Sequence, residues 1–306
     1  IKYHSTEKRF ELKRLFKIVA SIFKCGMVMR TVMLDELSWF ELKKYLERND
    51  IAIIPVGIVE LMGEWPLGME YFTPLAIAKM VAERIDGIVI PHIAYTFAGA
   101  TRAGVGTINL SITESVRYIK QVCLSLLESG FRRFLLISWH GPAPLVVSTV
   151  VRELFEETGI PFAYIDLQRE DLLGGNFVSD DIWLGVLKFL GKLDLVLEMP
   201  EPNEEELAMR KVKEMPKPMS EALKRAVMGY LYTHESQHYP ILKRYSAEEV
   251  NKLADKGIEK LKRIVDAMEP EKLMDDLKGY MEIIKRGELT ERGKRIKRIW
   301  QQKGYY

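Results

Sequence analysis

Short apolar runs alternate with longer stretches of helical spacing along the central part of the chain. The apolar runs cover Ile51–Val56, 88–90, 134–138 and Phe162–Asp166 and end at polar residues, glycine or proline. Runs of this length and composition are typical of strands that are buried on both faces. Apolar residues recur at helical spacing in the intervals, over 34–48, 74–85, 113–128 and 144–157. Strands that alternate with helices predict an α/β fold of three layers, α/β/α, with a mostly parallel sheet.

The alternating pattern fails between residues 170 and 228, where glycines, prolines and charged residues are frequent. Such a composition predicts an insertion of loops and short helices that covers the crevice as a lid. A strongly amphipathic helix is predicted over 247–268, and two charged helices follow Pro270. We therefore expect an N-terminal extension over 1–29, one α/β domain over 30–268 that contains the insertion, and a C-terminal helical tail over 269–306.

Composition excludes several classes of protein. The chain has 306 residues and a net charge of +2, so no overall field favours nucleic acid or a membrane surface. No apolar run reaches the ~20 residues that a membrane-spanning helix needs. Cys25 and Cys123 lack metal-ligand spacing, which favours a reduced, cytoplasmic protein without disulfides. Asn and Gln are scarce beside Lys, Arg and Glu, and this balance favours a thermophilic source. We expect a homo-oligomer that acts on a small molecule.

Three glutamates follow the first predicted strand, at Glu60, Glu64 and Glu70. In parallel sheets, ligands bind outside the carboxyl ends of the strands. The glutamates are therefore candidates for a metal site or an acid–base site, while a solvated acidic loop explains them equally well. The next helix is predicted to begin with Thr73 as its N-cap and Pro74 at its first position.

The histidines differ in what their positions indicate. His140 directly follows the third predicted strand and would face the acidic loop, which favours a functional role. His92 also follows a strand, but its apolar neighbours favour a buried structural histidine. Residues 233–238 contain two further histidines and a glutamate, and taken alone this cluster favours a helix start with a capping role.

Five segments of the chain, spread over about residues 30–268, resemble the creatininase (creatinine amidohydrolase) family. The opening signature of the family is matched by Pro55, Gly57, Glu60, Gly63, Pro66 and Leu67. Further segments are similar to family motifs at 106–110, 130–141, 229–237 and 254–268. In the segment over 229–237, Glu235 falls on the second glutamate of the family motif.

The resemblance implies a site for a divalent metal. The residues that match family ligands are Glu60, Glu70, His140 and Glu235. Other residues replace the family's polar groups, namely Met62, Thr101, Pro142 and Tyr230. The remaining ligands imply one ion rather than two, Zn²⁺ or Mn²⁺, and the carboxylates also suit Mg²⁺.

The activity that the resemblance implies is hydrolysis at a carbonyl of a small cyclic substrate. That substrate would be an amide or a cyclic ketone, for example a diketo-inositol such as 3-dehydro-scyllo-inosose. The expected catalytic residues are Glu64, Glu235 and His140. The expected substrate pocket consists of Trp139, Tyr230, Tyr232 and Thr101. The alternative is a catalytically inactive protein of the same fold that binds a ligand or a partner.

Overall fold

The structure is a computed structural model that describes residues 29–168, 179–225, 229–288, 290–291 and 293–304. Apart from Met29, the predicted N-terminal extension lies outside the described residues, as do residues 170–178 and 226–228 of the predicted insertion. None of the described helices is long and apolar enough to cross a membrane.

The secondary structure alternates as the sequence predicts. The strands are β1 (Ile51–Val56), β2 (Ile88–Val89), β3 (Arg133–Ser138) and β4 (Phe162–Asp166). The helices are α1 (Trp39–Leu46), α2 (Met69–Ile85), α3 (Ile112–Ser129), α4 (Ala143–Thr158), α5 (Asp180–Phe189), α6 (Asp194–Leu197), α7 (Glu204–Met209), α8 (Lys217–Lys224), α9 (Ala247–Ala267), α10 (Pro270–Arg286) and α11 (Lys294–Lys303). Short 3-10 helices cover Leu34–Glu36, Gly99–Ala103 and Glu235–His238.

All four strands pair in parallel, in the order β2-β1-β3-β4. β1 is an inner strand, because Ile53 is the register partner of both Val89 and Leu135. Since parallel strands present their carboxyl ends at one edge, the loops that follow β1 and β3 meet there.

The two faces of the sheet each form an apolar core. Ile53 and Leu135 belong to one core with α2, α5 and α9, whereas Ile54 and Leu136 belong to the other with α3 and α4. Alternate residues of a strand point to opposite faces, so a strand that is apolar throughout fills both cores. The predicted three-layer α/β/α architecture is confirmed.

The predicted insertion has two different parts. α5 buries Ile182, Trp183 and Leu187 in the same core as β1 and β3. Among the described residues of α7 and α8, none is buried. The apolar helix α5 therefore belongs to the domain core, and a lid role stays a prediction for the more exposed helices that follow it.

Two local predictions about the start of α2 are wrong. α2 begins at Met69 rather than after Thr73, and Pro74 lies inside it. The Thr73 hydroxyl donates to the carbonyl oxygen of Met69 at 2.9 Å, as helical threonines do when they bond back to the preceding turn. α3 begins at Ile112, one residue before the predicted stretch over 113–128, and its N-cap is Ser111, whose hydroxyl accepts from the Glu114 N–H.

His92 is exposed rather than buried. Its backbone is in the left-handed region with φ +73°, and 75% of its side chain is exposed. The imidazole Nε2 lies 2.9 Å from Asp35 Oδ2. The chain turns sharply after β2, so the side chain leaves the apolar environment that its neighbours suggest.

Candidate active site

The centre of the site is a buried carboxylate beside a buried imidazole. Glu60 lies in the loop after β1, and His140 lies two residues beyond the end of β3. Only 2% of Glu60 and 3% of His140 is exposed. His140 Nε2 is 3.4 Å from Glu60 Oε2. Adjacent parallel strands thus bring together two side chains that are far apart in the sequence, as predicted for this edge of the sheet.

Thr101 contacts the same carboxylate from a third segment. Its hydroxyl donates to Glu60 Oε2 and also lies 2.9 Å from the carbonyl oxygen of Ala98. Only 5% of Thr101 is exposed. The predicted pocket residue is therefore a direct hydrogen-bond partner of Glu60.

His238 completes the group and was not predicted. Its Nε2 lies 3.9 Å from Glu60 Oε1, so the Glu60 carboxylate faces one imidazole from each of its oxygens. The ring of His238 stacks on Tyr232, with centroids 5.7 Å apart and an interplanar angle of 17°. Burial lowers the pKa of His238, the charge of Glu60 opposes this, and His140 adds to it, which favours the neutral imidazole.

His238 belongs to the cluster over 233–238, for which the sequence predicted a capping role rather than a place in the site. The expected capping role is confirmed for His234, whose side chain accepts from the Ser236 N–H at 3.2 Å. The 3-10 helix Glu235–His238 then carries His238 toward Glu60. A helix of four residues is too short for hydrophobic periodicity to indicate which side chains point inward. The sequence pattern therefore could not identify His238.

Glu70 lies in the first turn of α2 and is 7% exposed. Burial raises the pKa of Glu70 well above its usual value, and the charge of Glu60 raises it further. Three buried atoms of this region have no hydrogen-bond partner among the described residues: Glu70 Oε2, His140 Nδ1 and His238 Nε2. Such atoms are rare in folded proteins, and each one indicates a functional or strained position.

Glu64 lies in the same loop but is engaged elsewhere. Its two carboxylate oxygens accept from Arg210 Nε at 2.7 Å and Arg210 Nη2 at 2.9 Å. The Leu242 N–H donates to the same carboxylate at 3.3 Å. Because Arg210 occupies both oxygens, this arrangement favours a structural role for Glu64 over the predicted catalytic one.

Glu235 lines a small pocket of about 70 Å³ beside the buried group. The polar side chains that share this pocket are Thr101, Tyr232, Thr233 and His234. Tyr230 meets Tyr232 edge to face at 5.9 Å. Burial and then the neighbouring Tyr230 and Glu60 raise the pKa of Tyr232 to about 12. Trp139, in contrast, is 1% exposed and belongs to one apolar core.

A comparison with protein families matches residues 35–210 to the creatininase model, described as creatinine amidohydrolase. The chain belongs to the creatininase family. A creatinine amidohydrolase from Pseudomonas putida is 27% identical over 118 residues, which are 36% of this chain and 45% of that protein. The match thus spans less than half of that relative.

Solved creatininase structures share the fold. One crystal structure of creatininase superimposes with a TM-score of 0.53 at 18% identity and covers 81% of this chain and 99% of that chain. A structure named Creatininase Mn gives a TM-score of 0.52 at 18% identity, with coverage of 81% and 99%. A substituted creatininase named as the Zn-Zn type gives 0.51 at 19% identity, again with 81% and 99%.

In this creatininase-family chain, the side chains of the site are of types that bind divalent ions. Their positions match the coordination geometry of such an ion less well. Within the described ranges, no group of three or more His, Cys, Asp and Glu side chains is arranged to hold a metal ion. Two of the donors nevertheless have suitable spacing, because ligands ~2 Å from one tetrahedral ion lie about 3.4 Å apart. That is the distance between Glu60 Oε2 and His140 Nε2. The buried Glu70 Oε2, which has no hydrogen-bond partner in the described part of the chain, is a third candidate donor.

Proposed function

We propose that this protein is a metal-dependent hydrolase that attacks a carbonyl group of a small cyclic substrate. The supporting observation is the buried Glu60 carboxylate at the carboxyl ends of β1 and β3, with one imidazole near each of its oxygens. A buried charge is costly unless it is paired, and buried ionisable groups of this kind cluster at functional sites. Membership of the creatininase family supports the same reaction class.

We propose that one divalent ion, Zn²⁺ or Mn²⁺, binds between Glu60, Glu70 and His140. Carboxylate oxygens and imidazole nitrogens are ligands that both ions accept. When bound, such an ion polarises a carbonyl and lowers the pKa of a bound water. The neutral imidazole of His238 is a fourth candidate donor that faces the same carboxylate.

The remaining residues of the site bind and orient the substrate in this proposal. Glu235 lies in the small pocket next to Thr101, where a carboxylate can accept a proton from a reacting group. Its predicted role as a metal ligand stays a proposal, whereas its position at the pocket favours the acid–base role. Tyr230 and Tyr232 present aromatic rings at right angles, a surface that suits a flat or puckered small ring.

Two substrate classes remain within the proposal, a cyclic amide and a cyclic ketone such as 3-dehydro-scyllo-inosose. Both undergo attack by water on a carbonyl carbon. The replacement of family imidazoles at Met62 and Tyr230 argues against creatinine itself. Screening both compound classes with the purified protein and added Zn²⁺ or Mn²⁺ would identify the substrate.

The decisive experiment compares His140→Ala with His92→Ala. Both changes remove one imidazole, but His92 is exposed and bonded to Asp35, whereas His140 faces Glu60. We expect His140→Ala to lose the bound metal and the activity and to cost about 1–3 kcal/mol of folding free energy, because the imidazole is buried beside Glu60. We expect His92→Ala to keep both. Metal content by elemental analysis and the melting temperature are the measurements.

Two results would count against the proposal. Full metal and full activity in His140→Ala would mean that the ion binds elsewhere. A parent protein without metal, combined with a large fall in melting temperature for His140→Ala, would make His140 structural and favour the non-catalytic binding protein.

A further inference from the structure

We infer that the ion pair between Glu64 and Arg210 is a clamp that positions Glu60 against His238. Arg210 follows α7, far from Glu64 in the sequence, and the two residues are 146 positions apart. This inference deepens the proposed function, and it rests on that function only in assigning Glu60 and His238 to the catalytic centre. Arg210 is a positioning residue here, because its contacts reach Glu60 only through the loop.

The geometry of the ion pair is specific. Arg210 Nε and Nη2 donate to different oxygens of Glu64, at 2.7 and 2.9 Å, and only 5% of the Glu64 side chain is exposed. Two parallel hydrogen bonds between a guanidinium and a carboxylate fix direction as well as distance. A lysine could supply the charge of Arg210 but not this geometry.

Glu64 also fastens the loop to the segment that follows His238. The Leu242 N–H donates to Glu64 Oε2 at 3.3 Å, and the Glu64 N–H donates to the carbonyl oxygen of Pro240 at 3.1 Å. Gly63 approaches Pro240 so closely that a Cβ atom on it would lie 2.5 Å from the same carbonyl oxygen. The two backbones are therefore in direct contact at Gly63, where φ is +56°.

These contacts sit next to the catalytic centre on both sides. Glu60 precedes Glu64 by four residues, and His238 precedes Pro240 by two residues. The Arg210 side of the clamp is held as well, since the Lys213 N–H donates to Ser236 Oγ at 3.0 Å. The 3.9 Å between Glu60 and His238 thus depends on the two segments that Glu64 joins.

Loss of Arg210 should loosen this junction. The Glu64 carboxylate would stay buried without its partner, and an unpaired buried charge is strongly unfavourable. The loop would relieve it by moving toward water, which separates Glu60 from His238. Glu64→Gln together with Arg210→Met removes both charges, so it breaks the clamp without leaving an unpaired ion.

The test uses histidine ring signals in NMR spectra of the full-length protein, recorded without substrate or added metal. The chain has five histidines, and His238→Gln assigns the His238 signal. Because Glu60 Oε1 lies 3.9 Å from His238 Nε2, the electric field of the carboxylate shifts the His238 ring signals in the parent. We expect Arg210→Met and the double variant to lose this shift, and Arg210→Lys to lose part of it.

Two controls separate the clamp from a general loss of stability. Arg84→Met breaks exposed ion pairs with Asp266 and Glu271 and should leave the His238 signal in place. The exposed His92 serves as an internal reference in every spectrum. An unchanged His238 shift in the folded double variant would overturn the clamp. Since neither metal nor substrate enters the measurement, that result is distinct from a failure of the proposed function.

Discussion

Met62 has a packing role at a position where the family resemblance implies a polar side chain. The family resemblance places a histidine at this position, yet Met62 is 1% exposed and belongs to the apolar core on one face of the sheet. Trp65 and Trp183 meet edge to face at 4.9 Å within the same core. The thioether fills apolar space here, a role that methionine serves well.

Met62→His should therefore lower the melting temperature in the absence of metal. A polar ring without hydrogen-bond partners in an apolar core costs roughly 1–3 kcal/mol. If the new ring reaches the ion proposed beside Glu60, added Zn²⁺ should raise the melting temperature of Met62→His more than that of the parent. Met33→His, which places the same ring at another buried position, should lose stability without this recovery. Equal responses to Zn²⁺ in both variants would contradict a metal near residue 62.

At the scale of elements, the crossing of α5 and α9 depends on two glycines. A Cβ atom on Gly185 would lie 2.6 Å from the carbonyl carbon of Gly257, and one on Gly257 would collide with the carbonyl oxygen of Asp181. The helices thus touch backbone to backbone. Asp181 strengthens the crossing through ion pairs with Lys256 and Lys260 at 3.1 and 2.7 Å.

Gly257→Ala should push the two helices apart and destabilise the protein by about 1–3 kcal/mol, the usual cost of overpacking. Gly279→Ala is the matched control, because Gly279 lies inside α10 with nothing within 4 Å of its Cβ position. Alanine there should stabilise by about 0.5–1 kcal/mol through its higher helix propensity. Chemical denaturation of both variants measures the difference, and equal effects of the two substitutions would contradict the close crossing.

For the molecule as a whole, the predicted tail is a structural part of the domain. α10 contributes Met274 and Leu277 to one core and Met281 and Ile284 to the other, so it reaches both faces of the sheet. Trp300 of α11 is fully buried and lies against Gly159 at the end of α4. A charged composition had concealed these contacts, because the apolar positions form only a narrow stripe on each helix.

A chain that ends at residue 269 should fail to fold stably. Each large buried apolar side chain that it lacks removes about 1.5–3 kcal/mol of burial free energy, and the loss of five matches the 5–15 kcal/mol that stabilises a typical domain. A chain that ends at Gly304 keeps every one of these side chains and is the control. Circular dichroism during heating tests this, and a cooperative transition near the parental temperature in the shorter chain would refute it.

The predictions that hold are those that depend on residues close together in the sequence. Apolar runs located the strands, because a strand buried on both faces must be apolar throughout, and Glu60 and His140 followed from the strand ends. His238 and the Glu64–Arg210 pair were missed because they depend on contacts between distant segments. α5 was placed in an insertion because its short apolar pattern lies among prolines and glycines. Homo-oligomeric assembly and a cytoplasmic location stay predictions, because neither follows from the fold of a single chain.

The clamp also implies an order in which the parts of the proposed site become available during synthesis of the chain. A chain being synthesised contains every described strand once it has reached Asp166. Glu64, however, can accept its hydrogen bond from Leu242 only after a further 178 residues have been synthesised. At typical synthesis rates of ~5–20 residues per second, the carboxylates of the loop stay without their partners for several seconds to tens of seconds. The strands that lead to Glu60 and His140 are therefore synthesised well before the segment that binds Glu64 and carries His238.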